Sequence, residues 1–346
     1  MQRLCYRSNR GFTIFELVVA MGLATVVLGG ALALTSQAIG ISDMVSHRSD
    51  MQQNARVAIN MIARDASLAG TGFPAEGVQL PGGTGSQDSH FACDEATGCH
   101  LTNNNDVYTD ERLYATWPGQ AGGPTINGVA TDVITMVYDD PTSNFDQFVF
   151  TDMDANGKKI YFDPATTPAW NHAVLGLQVG DVILLNNSIG IAAATVTRLH
   201  DDHVHIDPGS KDPLDINQQG QSGFGSAVHI YGPPTTARRI YIVTYYIDNS
   251  DPNIPMLMRH VSGHPPMAVA EYVENLQVTY DIFDDDASVA TAALVDAGGQ
   301  PNQIRKINIT LTVRSPGETM IGRDFQRITL TTSVGPRNMT YRDRYE

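Results

Sequence analysis

Between Leu17 and Ile41 no side chain is charged, and apolar residues crowd the run: Leu17, Met21, Leu23, Val26, Val27, Leu28, Leu32 and Leu34. An apolar stretch of this length crosses a bilayer as a helix. It is flanked on its N-terminal side by Arg3, Arg7 and Arg10, and the next charge beyond it is Asp43. At the junction stand Gly11, Phe12, Thr13, Ile14 and Phe15, followed by a single carboxylate, Glu16. A carboxylate inside a spanning segment costs roughly 2.5–3.5 kcal/mol at the centre and less near an end, so its presence normally marks a function. An ordinary secretory signal or a simple anchor is the plain alternative, since a basic flank suits both. Against a removable signal, the apolar run is long and the glycine lies before it rather than after it. Cys5 also precedes the run, so it is not a lipoprotein cysteine and leaves with the leader.

The junction resembles the class III signal of type IV prepilins and pseudopilins: glycine, phenylalanine, then Thr-x-x-Glu-Leu at Thr13 to Leu17. The resemblance implies that a membrane prepilin peptidase cuts between Gly11 and Phe12 and methylates the new amine of Phe12. It also implies that Glu16 pairs with the terminal ammonium of a neighbouring subunit during filament assembly. The physics is consistent, because a nearby cation favours the ionised carboxylate in apolar surroundings. Stranding one partner of a buried pair is costly.

Length and charge narrow the classes. A chain of 346 residues can hold a sizeable core. Loss of the three leader arginines takes the formal charge from −15 to −18. So acidic a protein is poorly suited to salt-dependent phosphate binding, and no nucleic-acid partner is expected. Cys93 and Cys99 bracket a short loop and read as a disulfide in an oxidising compartment. A mixed zinc site with His90 and His100 is the alternative.

From Asp43 to Ala69 there is neither proline nor glycine, and Met44, Met51, Ala55, Ala58, Ile59, Ile62, Ala66 and Ala69 recur at helical spacing. One helix from Phe12 to about Ala69 is expected, about 87 Å long at 1.5 Å per residue. Gly70, Gly72 and Pro74 would end it. Residues 71–128 read as a Gly/Pro-rich loop region with the cysteine pair. Strands are expected over 131–138, 146–151, 159–162, 181–185, 191–199, 204–206, 239–247, 276–283, 304–313 and 325–334. Val269 to Val273 is the one helical period after Gly70. The organisation is thus a leader at 1–11, a pilin helix at 12–70, the loop region at 71–128 and a β-rich domain at 129–346. The fold class is α+β, with a long N-terminal transmembrane and amphipathic helix, the pilin spine, packed on a β-rich globular domain.

The segments 55–65, 69–73, 270–280, 304–311 and 331–338 resemble PilW-type minor pilins. This implies a minor pilin that primes filament assembly, near the tip, with other minor and major pilins, the prepilin peptidase and an inner-membrane assembly platform as partners. It further implies residence in inner-membrane lipid, with a periplasmic domain, before entry into a pilus or pseudopilus. A J-type minor pseudopilin of type II secretion shares the first signal. A membrane-tethered binding or catalytic domain is the reading from another class.

Other constellations are local. Asp152, Asp154, Asn156 and Gly157 begin like a calcium loop, with Asp163 at the twelfth position. Asn156-Gly157 is equally a hairpin turn signal. His203 and His205 share one face of a strand and offer two zinc ligands, although a polar hairpin tip needs the same residues. Asp284 to Asp286 reads as a solvated acidic turn. No glycine-rich phosphate loop and no G-x-S-x-G appears, so no enzyme is expected. No cofactor is expected either, apart from a candidate calcium ion at the Asp152 loop.

Overall fold

The computed structural model describes residues 11–79, 93–94, 98–99, 112–140, 150–163, 176–209, 211–212, 214, 216–217, 233–284, 289–294, 301–318, 324–337 and 339. The chain is α+β: one long apolar N-terminal helix followed by several β-sheets. It divides into two units, Met1–Asp50 with Ser315–Gln326, and Met51–Arg314 with Arg327–Glu346.

Helix α1 runs from Ile14 to Leu68 without a proline. Its end is set by Gly70, whose φ of 79° lies in the left-handed region that closes helices. The Thr71 amide returns to the Leu68 carbonyl at 2.9 Å, and the Gly70 amide reaches Val137 O at 2.8 Å. In the first unit the apolar side chains of α1 are uncovered, from Phe12 at 85% exposure to Leu34 at 69%. Its hydroxyls are satisfied within the helix: Thr25 Oγ1 donates to Gly22 O and Thr35 Oγ1 to Ala31 O, both at 2.8 Å. Such back-bonding lets a polar residue sit in an apolar run without an unpaired donor.

In the second unit the strands assemble by antiparallel pairing. Three minimal pairs are β1 (Val78–Gln79) with β4 (Arg112–Leu113), β2 (Cys93–Asp94) with β3 (Gly98–Cys99), and β6 (Thr125–Ile126) with β7 (Val129–Ala130). The main sheet has seven strands: β5 (Thr116–Gly119), β8 (Val133–Asp139), β11 (Val182–Asn186), β12 (Ile191–Thr195), β15 (Thr236–Asp248), β16 (Met256–Val261) and β17 (Met267–Glu271). A four-stranded sheet runs in the order β13 (Arg198–Leu199), β14 (His203–His205), β10 (Lys159–Phe162), β9 (Phe150–Met153). A second four-stranded sheet runs β19 (Val289–Leu294), β18 (Val273–Asp284), β20 (Ile304–Glu318), β21 (Phe325–Val334).

The hub is β15. Ile240 pairs with both Val182 and Asp139, so β11 and β8 lie on opposite edges of that strand. Further along, β16 takes over from β11, with Val243 opposite Val261. Nine of its thirteen residues are Tyr, Ile, Val or Thr, which suits a strand buried on both faces. Gly180 and Gly263 allow the loops before β11 and after β16 to touch. Each has a positive φ, and a Cβ on Gly263 would come within 1.9 Å of Gly180 O.

Two apolar clusters result. The larger joins Met51, Ala55, Ala58, Ile62 and Ala66 of α1 to Met136, Tyr245, Leu276 and Ile309. Small side chains recurring at helical spacing let helix and sheet approach, and burying a residue such as Ile62 contributes roughly 1.5–3 kcal/mol. The smaller cluster contains Ile160, Phe162, Ile183, Leu185, Val204 and Ile206.

The helix brings a charge into the larger core. Asp65 of α1, 4% exposed, accepts from Tyr138 Oη at 3.0 Å, Tyr245 Oη at 2.7 Å and Arg259 Nε at 2.8 Å. Arg259 Nη2 also donates to Tyr138 Oη at 3.2 Å. Burial, reinforced by the Asp65 charge, raises the pKa of both tyrosines, so each stays a donor. Removing one partner of such a network leaves the other charge stranded.

Several expectations change. Val269 to Val273 is not helical. Met267–Glu271 is a strand, Tyr272 takes φ 60°, and β18 begins at Val273. The expected 191–199 strand is broken into β12 and β13, with Val196 and Thr197 between them. The 71–128 region contributes β5 to the main sheet, where Trp117 pairs with Thr135. The expected loops at 82–86 and the acidic turn at 285–286 lie outside the described residues.

Asp65→Ala should destabilise the full-length protein by about 3 kcal/mol, since Arg259 and two tyrosines lose their acceptor. Asp65→Asn should cost less, because an amide oxygen still accepts. Urea unfolding followed by circular dichroism on detergent-solubilised protein measures both.

Candidate functional site

The first turn of α1 builds the site from four residues. Thr13 lies just outside the helix and Glu16 is its third residue. Thr13 N–H and Thr13 Oγ1–H both donate to Glu16 Oε2, each at 3.0 Å. Glu16 N–H donates back to Thr13 Oγ1 at 3.2 Å. This is a reciprocal capping box, which satisfies amides that a helix start leaves unpaired. The same carboxylate favours the positive end of the helix dipole. Both bonds land on Oε2. A carboxylate has about four acceptor positions, so Oε1 can take a further donor.

Gly11 and Phe12 precede the box outside the helix, and both are exposed. Beyond Gly11 no Cβ-sized obstruction is found within 4 Å. The Gly11–Phe12 bond, Phe12 and Glu16 are therefore gathered at one accessible end. Residues 1–10 of the expected leader lie outside the described residues. Reasoning from the sequence missed the capping box, although its signal, Thr-x-x-Glu before an apolar run, is legible there.

Asp152, Asp154, Asn156 and Asp163 fall on a hairpin between β9 and β10. Asp152 Oδ1 accepts from Met153 N at 2.8 Å, and Asp154 Oδ1 from Asn156 N at 3.4 Å. Gly157, with φ 65°, donates to Asp154 O at 2.7 Å. Asp163 follows the end of β10. Calcium at this turn stands as a proposal of the sequence pattern. At the other cysteine motif, β2 and β3 pair with Cys93 directly opposite Cys99, while the two side chains lie outside the described residues.

A separate cleft of about 680 Å³ is lined by Arg64, Asp140, Tyr241, His264 and Met267. Asp140 Oδ2 takes Arg239 Nε at 2.8 Å and Tyr241 Oη at 3.1 Å, and His264 Nε2 meets Asp181 Oδ1 at 3.1 Å. Burial chiefly pushes the Tyr241 phenol up to about 12. No nucleophile paired with a base stands among these contacts.

Geometry alone defines a class: a β-rich domain preceded by one helix with the length and composition of a membrane anchor, carrying one acid at its N-terminal end. Residues 6–32 match the family described as Prokaryotic N-terminal methylation motif, which marks a type IV pilin-like prepilin. The match spans the basic flank, the Gly11–Phe12 junction, Glu16 and the apolar run through Leu32. No curated protein and no solved structure matches the chain.

Directly opposed residues of an antiparallel pair have Cα atoms about 4.5–5.5 Å apart, within the range a disulfide bridges. The peptide spanning Cys93 and Cys99 should therefore be lighter by a pair of hydrogens before reduction than after. Mass spectrometry of unreduced and reduced digests checks this.

Proposed function

We propose that the mature protein is a minor pilin of a type IV pilus system that primes filament assembly near the tip. The observation that carries the reading is the uncovered apolar face of α1 with Glu16 at its start, inside a methylation motif. In this reading the prepilin peptidase hydrolyses the Gly11–Phe12 amide and methylates the Phe12 amine. The apolar segment first anchors the chain in inner-membrane lipid, with the β-rich domain in the periplasm. It then leaves lipid to pack against the helices of other pilins, which is favourable only if Glu16 does not remain an isolated buried charge.

The capping box refines the pairing step. Thr13 holds Glu16 Oε2, so the carboxylate is oriented before assembly and Oε1 accepts the terminal ammonium of a neighbour. A charge-assisted bond of this kind is stronger than a neutral one. The acids and bases of the β domain serve its structure, and no catalytic role is assigned to them.

Two measurements test the reading. The mature N-terminus should be N-methylated Phe12, and an unprocessed chain in cells with active peptidase would overturn the proposal. Glu16→Ala and Glu16→Gln separate the cap from the charge, since glutamine preserves the box but has no charge. Both variants should be processed normally and enter pili at least tenfold less than wild type. If Glu16→Gln assembles at the wild-type level, Glu16 is only a helix cap. Loss of secreted enzymes with normal pili would instead point to a pseudopilus.

A further inference from the structure

We propose that His200, His203 and His205 form a binding site for one divalent transition-metal ion, zinc foremost. The three residues lie on the hairpin of β13 and β14. Arg198 pairs with His205 and Leu199 with Val204, and the His200 amide bonds His203 O at 2.9 Å. Because side chains alternate along a strand, His203 and His205 share a face. Continuing the hairpin register sets His200 across from His203 on that face. His205 is buried, His203 half-buried and His200 exposed, and one nitrogen from each lies within 4.8 Å of the others.

The decisive geometry is at the ring nitrogens. His203 Nε2 and His205 Nε2 are 3.1 Å apart. On the far side of each ring stands a carboxylate: Asp202 Oδ1 is 2.6 Å from His203 Nδ1, and Asp207 Oδ2 is 3.1 Å from His205 Nδ1. An ionised carboxylate only accepts, so it selects the tautomer with hydrogen on Nδ1. Arg198 Nη2, 3.4 Å from the same His205 nitrogen, is the longer contact, and it bonds Asp207 at 2.6 Å instead. With those tautomers both Nε2 lone pairs converge on one point, the arrangement of two ligand atoms about a shared cation.

A zinc ion suits the space. With Zn–N bonds of about 2.0–2.1 Å and tetrahedral angles, two imidazole nitrogens lie roughly 3.3 Å apart. Carboxylates behind ligating histidines fix the tautomer and raise ligand basicity, the arrangement seen here twice. His200 stacks on His203 with centroids 4.5 Å apart and lies 5.0 Å from His205, at an exposed position where its ring can turn toward a shared ion. The ion would clamp the hairpin over the smaller apolar core, which takes Val204 from between His203 and His205.

The test uses tag-free, full-length protein in detergent micelles, stripped with chelator and confirmed folded by circular dichroism. Cobalt(II) should bind at one equivalent with the visible absorption of a tetrahedral site, and zinc should displace it and raise the thermal midpoint. Asp207→Asn should weaken zinc binding about 10–100-fold, the usual effect of losing an outer carboxylate. His203→Gln should weaken it at least as much. His200→Gln, at an exposed site, keeps the test valid should the His203 variant misfold, and it too should lower affinity at least tenfold. Absence of stoichiometric binding in the wild type, or unchanged affinity in His200→Gln, would overturn the proposal.

Discussion

The buried carboxylate of Asp65 is the interaction on which the β-rich unit depends. It is the one charged group that α1 commits to the larger core, and it is satisfied only by side chains from three different strands, β8, β15 and β16. Apolar packing alone would tolerate some sliding of the helix along the sheet, since alanines at 55, 58 and 66 offer little relief. A carboxylate that must meet two phenols and a guanidinium tolerates none, because any shift leaves a buried charge without donors. The network therefore fixes the helix against β8, β15 and β16 at this point.

The same helix carries a second carboxylate with the opposite arrangement. Glu16 is exposed, holds only Thr13, and does so through one oxygen. Asp65 is saturated by its own chain and serves folding, whereas Glu16 keeps accepting capacity at the end of a surface that is apolar and uncovered. This contrast in hydrogen-bond occupancy is a physical reason to assign one acid to the fold and the other to assembly.

Polar clusters elsewhere follow the same logic of occupancy. At Asp140, Arg239 and Tyr241 donors and acceptors are matched, and the result is a rigid wall to the cleft. Asp132 is matched too, taking the amides of Ala121 at 2.9 Å and Val278 at 2.7 Å, although burial outweighs them and leaves its pKa raised. At the β13–β14 hairpin the matching fails, because two imidazoles oriented by carboxylates face each other through acceptor atoms.

The amino-acid sequence by itself determined the elements whose cause is local. The uncharged run and the absence of proline make α1, and Gly70 ends it in a left-handed conformation that glycine adopts without strain. The alternation of β18 and β20 and the Tyr, Ile and Val of β15 were legible locally, whereas the Gly11–Phe12 junction was read through its resemblance to a prepilin signal. The capping box was written there as well, but it was masked by the resemblance that used the same residues. Strands β16, β17 and β19 were not legible, and Val269 to Val273 carried a helical period that the edge of a sheet overrode. Only the tertiary structure decided that Asp65 meets Tyr245 and Arg259, 180 and 194 positions away, and that His200 joins His203 and His205. Those meetings depend on strand register and hairpin closure, which arise when distant segments pair and which no local pattern encodes.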